Sequence, residues 1–469
     1  MKKLEHNEIE FNDASYIDPN GRVFKMGQDV YRAIFPSQKG FFMNLLNDEF
    51  YKQLEQKGKL IQSEITDLAL DGYGVILKHR KLKNINYCFE WAPEMLKDAA
   101  LLMLDIAIEI SKHDLILQDA YPWNISFENY KPVFIDIGSI TRPDKDIIWR
   151  AYNQFCNFFL FPLYLYSADL FEVARPLSLD YLSGVSDRVC AKLLPIPYKI
   201  KHPNSFFRVD LPLFWSNLAA KFKFEHKINE INKKIISNVN MKKMRTDFLN
   251  NLLNEVKSIR LPLSNSAWTK YYKKQDALPY LNQGNNKKEA VSKILNELRP
   301  KTVLDVGCNL GRYSILAAES GADVTAFDND QACISSLYNY VRKEKINITP
   351  LIMDALNPSP AFGWCLKQFP SAISRHKSEM TFAFAIVHHM ILRQWQNFER
   401  IVLLLDTFTE KWLLIEFIPK KELEGLSVQN NNFDWYSYEN LILTLRKYYK
   451  RITELDSFPI GRKILLCEK

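Results

Sequence analysis

Thr302 to Gly311, TVLDVGCNLG, is the stretch that decides the fold of the C-terminal part of this 469-residue chain. Its first half is a mostly apolar run typical of a buried strand, and its second half carries two glycines. Arg312 to Ser320 continues with helical spacing, and Gly321 ends that pattern. A strand, a tight glycine turn and a helix N-terminus together form the ligand crevice of a doubly wound sheet. The stretch therefore predicts an α/β domain with a ligand site at the strand end.

Two further apolar runs repeat this arrangement downstream. Ala322 to Phe327 leads into Asp328, and Thr349 to Met353 leads into Asp354. Because parallel strands end at the same edge of a sheet, we expect these carboxylates to gather beside Asp305. Asp328 is placed to accept hydrogen bonds from ribose hydroxyls, Asp354 from an adenine amino group, and Asp305 to position the turn or an amino acid moiety.

A dinucleotide is the competing ligand at this turn. NAD sites use G-x-G-x-x-G, whereas the run here is G-x-N-x-G followed by Arg312. The missing last glycine disfavours a pyrophosphate over the helix and favours S-adenosylmethionine (SAM).

Asp305 to Gly311 resembles the first motif of class I SAM-dependent methyltransferases, D/E-x-G-x-G-x-G. Asn309 replaces the middle glycine, and asparagine tolerates this because it visits left-handed conformations. Residues 354–364, 384–390 and 414–419 resemble a narrower bacterial group, the SAM-dependent methyltransferases related to nodulation host-specificity proteins. The resemblance implies that SAM is bound by Asp305, Gly307, Asn309, Gly311, Asp328 and Asp354.

His388 and His389 follow a fourth predicted strand, Thr381 to Val387, on the same edge of the sheet. One of them is a candidate general base for a hydroxyl acceptor, because imidazole titrates near neutral pH. The alternative is that they orient a loop or cap a helix, and the sequence leaves both open.

A second constellation lies far upstream, in the stretch Leu115 to Ile140. Asp119 is followed five positions later by Asn124, and Asp136-Ile-Gly comes after a short apolar strand. The order resembles the catalytic loop of protein kinases and aminoglycoside phosphotransferases. The resemblance implies Asp119 as base, Asn124 and Asp136 as magnesium ligands, and Mg-ATP as an additional cofactor.

The N-terminal pattern departs from that family in three ways. Gln118 stands where histidine usually precedes the aspartate. No glycine-rich loop precedes it, although Gly21 to Phe35 predicts a hairpin. The strand lysine is unassigned among Lys25, Arg32 and Lys78. An active kinase, a kinase-like docking module and a coincidental pattern all remain open.

Composition narrows the partners and the compartment. The net charge is +8, and we interpret its basic clusters as solvated faces rather than as a nucleic-acid site. Seven scattered cysteines and an N-terminus without an apolar signal core predict a cytoplasmic protein. Ala151 to Ala168 is uncharged but short and interrupted by Pro162, so we expect a buried aromatic helix rather than a transmembrane span. Peripheral contact with a membrane stays open.

These observations predict a multidomain protein of α+β and α/β class. We expect a kinase-like module at 1–220, a helical connector at 221–285 and a Rossmann-like methyltransferase domain at 286–469. The predicted function is SAM-dependent methylation of a small-molecule or glycan acceptor, at oxygen. The alternatives are a bifunctional kinase-methyltransferase and a non-catalytic binding scaffold.

Overall fold

The computed structural model describes residues 2–144, 147–180, 182–222, 240–262, 266–269, 286–423 and 433–469. Of the predicted connector, residues 223–239, 263–265 and 270–285 lie outside this part of the chain. The three predicted domain ranges therefore stay predictions.

Short strands, mostly antiparallel, build the N-terminal region. They are β1 (Lys2–Lys3), β2 (Glu10–Phe11), β3 (Gly21–Met26), β4 (Asp29–Ile34), β5 (Ser63–Ile65), β6 (Leu68–Ala69), β7 (Val75–His79), β8 (Ile116–Leu117), β9 (Ile125–Glu128), β10 (Lys131–Phe134) and β11 (Ile140–Thr141). Five of them form one antiparallel sheet in the order β2-β3-β4-β7-β5. The predicted hairpin is confirmed, because β3 and β4 pair along their whole length around Gly27, whose φ of 61° suits the turn.

Helices surround this sheet and extend the core beyond it. They are α1 (Lys39–Asn47), α2 (Glu49–Gln56), α3 (Pro93–Ser111), α4 (Tyr152–Phe155), α5 (Phe161–Ser167), α6 (Phe171–Leu177), α7 (Asp187–Leu193), α8 (Ile196–Lys201), α9 (Pro203–Ser205), α10 (Leu211–Phe222) and α11 (Met241–Ser258). Pro93 occupies the first turn of α3, where a missing N–H costs nothing. Helix α11, inside the predicted connector, packs along α3 and buries Leu249, Leu252 and Val256.

The uncharged stretch predicted as a buried aromatic helix is helical from Tyr152 to Ser167, with a π-helical turn at Cys156–Leu160 between α4 and α5. Phe155, Phe159 and Leu163 in it are fully buried within the core. Among the described residues, no helix has both the length and the apolar character required to span a bilayer.

The C-terminal region is built on one seven-stranded sheet. Its strands are β12 (Thr302–Val306), β13 (Asp323–Asp328), β14 (Ile348–Ile352), β15 (Ser378–Ala383), β16 (Thr409–Phe417), β17 (Arg451–Asp456) and β18 (Lys463–Glu468). The order is β14-β13-β12-β15-β16-β18-β17, with the first five strands parallel and β18 antiparallel to both of its neighbours. Continuous apolar runs form β12 to β15 because helices flank the parallel strands.

The helices of this region are α12 (Asn286–Leu298), α13 (Arg312–Glu319), α14 (Gln331–Glu344), α15 (Ala372–Arg375), α16 (Val387–Gln394), α17 (Phe398–Phe408) and α18 (Tyr438–Leu445). The predicted strand Thr381 to Val387 is wrong in its second half. Strand β15 ends at Ala383, because Ala385 takes a left-handed φ of 51° that a strand does not accommodate. Val387 instead begins helix α16.

The two regions share a buried contact. The carboxylate of Glu90 accepts from the guanidinium of Arg375, and both side chains are buried. Asp98 on α3 accepts from the Tyr338 hydroxyl at 2.6 Å and forms an ion pair with Arg342 on α14. Removing one partner of a buried pair is costly, so these contacts hold the N-terminal region against the C-terminal sheet.

Candidate active site

A cavity of about 850 Å³ opens at the carboxyl ends of the parallel strands. This size lies within the range of about 300–1,000 Å³ that is usual for small-molecule sites. Five of the six residues predicted to bind SAM line it: Asp305, Gly307, Asn309, Asp328 and Asp354. The structure therefore brings the ends of β12, β13 and β14 to one crevice.

The glycine turn after β12 forms the floor of the cavity. Gly307 has a φ of 74°, and a Cβ there would collide with the Ile386 side chain. Asn309 takes a left-handed φ of 52°, as its place in the motif predicts, and its N–H donates to Asp328 Oδ2 at 2.8 Å. The turn thereby ties the end of β12 to the end of β13 and leaves the backbone open to a ligand.

Gly311, the sixth residue predicted to bind SAM, is not among the residues that line the cavity. It precedes helix α13 with a φ of 77°, and a Cβ there would collide with Leu337. The position thus requires glycine so that the turn can pack against α14.

Asp305, at the end of β12, is buried and Asp328, at the end of β13, is partly buried, and neither forms an ion pair with any residue that the structure describes. Burial raises the pKa of Asp305 to about 6, although the Ser314 hydroxyl donates to it at 2.5 Å. Burial also raises the pKa of Asp328 to about 6, although the N–H groups of Asn309 and Asp330 donate to it. Both carboxylates would gain from donors that a ligand brings, because ionisation in a dry site is unfavourable.

Asp354 lies at the third strand end and is only partly buried. Its Oδ1 accepts from the Leu356 N–H at 3.0 Å, which fixes the carboxylate at the cavity wall. Asp354 therefore lies at the carboxyl-end edge of the sheet, where the sequence predicted it.

His388 and His389 lie in the first turn of α16 and line the same cavity. Their ring centroids are 3.9 Å apart, and each Nδ1 is buried without a hydrogen-bond partner among the described residues. Burial lowers the pKa of His388 to about 3 and that of His389 to about 4, with neighbouring cations acting in the same direction. Both rings are therefore neutral at pH 7, and the burial that lowers their pKa also makes them weak bases.

Sequence reasoning missed a buried ion pair in the cavity wall. Lys287 Nζ lies 2.7 Å from Glu416 Oε2, and the Ser457 hydroxyl donates to the other carboxylate oxygen at 2.6 Å. The ammonium also lies over the rings of Tyr313 and Phe384, at 4.7 and 4.6 Å from their centroids. No local pattern signals this network, because Lys287 begins α12 and its partner is 129 residues further on.

The N-terminal constellation is also brought together. Asn124 Nδ2 donates to Asp119 Oδ1 at 2.6 Å, and the Ser139 hydroxyl donates to the same oxygen at 2.8 Å. Burial and the nearby charge of Asp136 raise the pKa of Asp119 to about 7. The three predicted residues thus form one cluster at the ends of β8, β9 and β10.

A buried arginine occupies the centre of this cluster. The Arg32 guanidinium on β4 forms ion pairs with Asp18 and with Asp136, and its side chain is 5% exposed. Gly138 lies against it, and a Cβ there would collide with the guanidinium. Of the three candidate basic residues, Arg32 is therefore the one that reaches the acids, whereas Lys78 forms an ion pair with Asp29.

These residues do not fit Mg-ATP in this arrangement. Asp136 Oδ1 already accepts from Arg32 and from the Gly138 N–H, so a guanidinium stands where a magnesium ion would stand. Within the described part of the chain, no group of three or more histidine, cysteine or acidic side chains is arranged to hold a metal ion. The magnesium role of Asn124 and Asp136 stays a prediction.

The loop between Asp119 and Asn124 touches the C-terminal region. Trp123 packs against Phe362 and Phe369, with ring centroids 5.5 and 5.1 Å apart. These phenylalanines follow Asp354 along the chain, so the N-terminal loop braces the segment beyond β14.

Six parallel strands, with the antiparallel β18 inserted between β16 and β17 and a crevice at the carboxyl ends of the parallel strands, define a doubly wound, Rossmann-like fold. Residues 269–359 match the family model described as tellurite resistance protein TehB. The chain is 26% identical over 421 residues to the nodulation protein NoeA of Rhizobium meliloti (strain 1021), covering 87% of this chain and 85% of that protein.

The chain is also similar to two solved structures. Magnesium protoporphyrin IX methyltransferase from Synechocystis PCC 6803, with bound SAM, is 13% identical, with 44% of this chain and 99% of that chain covered and a TM-score of 0.29. TehB from Haemophilus influenzae is 19% identical, with 42% of this chain and 65% of that chain covered and a TM-score of 0.28. At TM-scores this low, neither likeness bears on the chemistry of this chain.

Proposed function

We propose that this protein is a SAM-dependent methyltransferase that methylates a small-molecule or glycan acceptor at oxygen. One observation carries the proposal: a glycine turn and three aspartates from successive strand ends line a single cavity of about 850 Å³. The match to the TehB family model and the similarity to NoeA support the same class of enzyme.

The residues present fit SAM. Asp305 and Asp328 have raised pKa values and form no ion pair within the described part of the chain, and the turn at Gly307 leaves the backbone open where a side chain would collide. Asp305 would hold the amino group, Asp328 the ribose hydroxyls and Asp354 the adenine amino group. Gly307 and Asn309 would let the ligand approach the backbone, and Gly311 would support that turn.

When bound, SAM supplies a methyl group on a sulfonium, which forms a bond to the acceptor oxygen as its bond to sulfur breaks, leaving S-adenosylhomocysteine. As the methyl–oxygen bond forms, the acceptor hydroxyl would become a strong acid, so its proton could pass to a neutral imidazole of His388 or His389 although burial lowers their pKa. Lys287 and Glu416 neutralise each other in the wall and keep that side of the cavity ordered. Most of the rate enhancement then comes from positioning two substrates in a site with little water.

Asp328→Asn tests this assignment by calorimetric titration with SAM. The change removes the charge that faces the ribose hydroxyls, and we expect SAM affinity to fall at least about 30-fold. Asp323→Asn is the matched control, because Asp323 begins the same strand and pairs with Lys83 on the surface. Affinity of Asp328→Asn equal to that of the control would remove the SAM site from this crevice.

The general base has its own test. We expect His388→Ala and His389→Ala together to lower kcat about 100-fold with little change in SAM affinity, since general bases contribute about 10²–10⁴. If kcat is unchanged, the histidines orient the loop or cap α16 instead.

The bifunctional alternative has one supporting observation, the clustering of Asp119, Asn124 and Asp136. Because Arg32 occupies that cluster, we propose no phosphotransfer step. A non-catalytic scaffold would bind SAM without turnover, and transfer of labelled methyl from SAM to cell-extract molecules would exclude it. All seven cysteines are free thiols, which supports our proposal of a cytoplasmic location.

A further inference from the structure

Two chemically different sets of residues line the cavity. Asp305, Asp328 and Asp354 form the acidic set at the ends of the parallel strands, as described above. The basic set includes Arg393 and Arg462, which line the cavity together with the two neutral histidines of α16. Since the aspartates are assigned to the ligand proposed for the strand ends, we assign the basic set to the acceptor.

The basic residues that line the cavity differ in whether a carboxylate neutralises them. Arg462 donates twice to Glu422, at 3.0 and 2.8 Å. Lys287 is paired with Glu416. Arg393, which is exposed at the cavity, forms no ion pair with any residue that the structure describes. Its positive charge is therefore available to a ligand.

A flat aromatic surface holds this arginine in place. The guanidinium of Arg393 lies over the Trp268 ring, 5.2 Å from its centroid. The same ring meets His389 edge to face, with centroids 5.0 Å apart. This cation–π contact holds the guanidinium near the cavity without neutralising its charge.

A second, independent feature at the same wall lacks a partner. His388 is 7% exposed and lines the cavity, yet its Nδ1 has no hydrogen-bond partner among the described residues. Buried polar atoms are usually satisfied, so an unpaired ring nitrogen in a cavity wall indicates a ligand group that completes it.

We infer that the acceptor carries an anionic group, a carboxylate or a phosphate, that binds against Arg393 beside the imidazoles of α16. This inference rests on the proposed methyltransferase function and names the class of its substrate. A planar guanidinium binds both groups through two parallel N–H donors, and it has no acceptor to offer to a cationic ligand. A neutral acceptor would leave the charge of Arg393 unused.

Binding of small probes to the full chain, saturated with S-adenosylhomocysteine, tests the inference. The probes are benzoate, phenyl phosphate and the neutral benzamide, titrated by calorimetry. We expect at least one of the two anions to bind at least about tenfold more tightly than benzamide, because hydrogen bonds between charged groups are about twice as strong as neutral ones. Preference for benzoate or for phenyl phosphate then distinguishes a carboxylate from a phosphate.

Arg393→Gln is the decisive variant. We expect it to remove the preference for the anion and to leave affinity for S-adenosylhomocysteine within twofold. Arg400→Gln is the matched control, because Arg400 is exposed on the next helix, outside the cavity lining. It should keep both affinities.

Two results would overturn the inference, and they are distinguishable. If S-adenosylhomocysteine binds but neither anion binds more tightly than benzamide, or if Arg393→Gln keeps the preference, the acceptor class is wrong and the methyltransferase proposal stands. If S-adenosylhomocysteine does not bind to the wild-type chain, both proposals fall together.

Discussion

The N-terminal and C-terminal regions each gather three aspartates at strand ends or adjoining loops, but they neutralise them differently. In the N-terminal region, Arg32 forms ion pairs with two of the three and almost fills the space between them. In the C-terminal region, the aspartates surround a cavity instead. The residue types are the same, so acids at strand ends do not by themselves distinguish an internal ion-pair network from a ligand site.

The difference lies in where the compensating positive charge or hydrogen-bond donor comes from. Isolated buried carboxylates are unfavourable, and a fold must either supply a cation or leave room for donors from a ligand. Burial raises the pKa of Asp305 and Asp328 to about 6, which fits acids that wait for a ligand. In the N-terminal region, by contrast, the protein itself supplies the cation, which is the guanidinium of Arg32.

Breaking the N-terminal cluster gives the largest expected effect. Arg32→Met keeps much of the volume but leaves Asp18 and Asp136 without their cation, and we expect the free energy of unfolding to fall by about 3–5 kcal/mol. Chemical denaturation at pH 7.5 measures the change. The free energy of unfolding of Arg32→Lys should lie between those of the wild type and Arg32→Met, because an ammonium cannot reach both acids in the same planar geometry.

Arg80→Met is the control for loss of an arginine ion pair. Its partner is Glu128, and the Arg80 side chain is 37% exposed against 5% for Arg32, so the change should cost about 1 kcal/mol. A loss in Arg32→Met as small as that in Arg80→Met would show that the buried guanidinium does not stabilise the N-terminal acids.

The role of the C-terminal aspartates in ligand binding is tested by a change of pH rather than by mutation. Asp305 and Asp328 are largely ionised at pH 7 and largely protonated at pH 5, because their pKa values are raised to about 6. Protonation removes the charge that the ligand's donors meet, so SAM affinity should fall at least about tenfold from pH 7 to pH 5. The α-amino group of the ligand is mostly protonated at both pH values and does not offset this.

Titration calorimetry at pH 5, 6 and 7 measures this trend, and thermal unfolding at each pH shows that the chain stays folded. Equal SAM affinity at pH 5 and pH 7 in the folded protein would mean that these carboxylates do not contact the ligand.

The C-terminal cluster was largely predictable from sequence because its signals are local. An apolar run, glycines at two positions that need a positive φ and an acid at each strand end all lie within short stretches. The clustering of Asp119, Asn124 and Asp136 was predictable for the same reason, because all three lie within one short stretch.

What escaped prediction depends on residues far apart in the chain. Arg32 meets Asp136 across 104 positions and Lys287 meets Glu416 across 129, and no periodic pattern encodes either contact. The end of β15 was misplaced because an apolar run continues past Ala383, while the left-handed backbone at Ala385 is set by the turn into α16.

The smallest expected effect is the response of the N-terminal cluster to nucleotide. With Arg32 in place, millimolar Mg-ATP should raise the thermal midpoint by less than about 1 °C, because a ligand stabilises only in proportion to its occupancy of the folded state. Differential scanning fluorimetry measures this for the wild type, for Asp136→Ala and for Asp144→Ala, an acid paired with Arg150 on the surface. A shift of several degrees that Asp136→Ala abolishes and Asp144→Ala keeps would mean that Arg32 releases its partner when nucleotide arrives. The two clusters would then be alike, each of them a ligand site, and the bifunctional alternative would replace the distinction drawn between them.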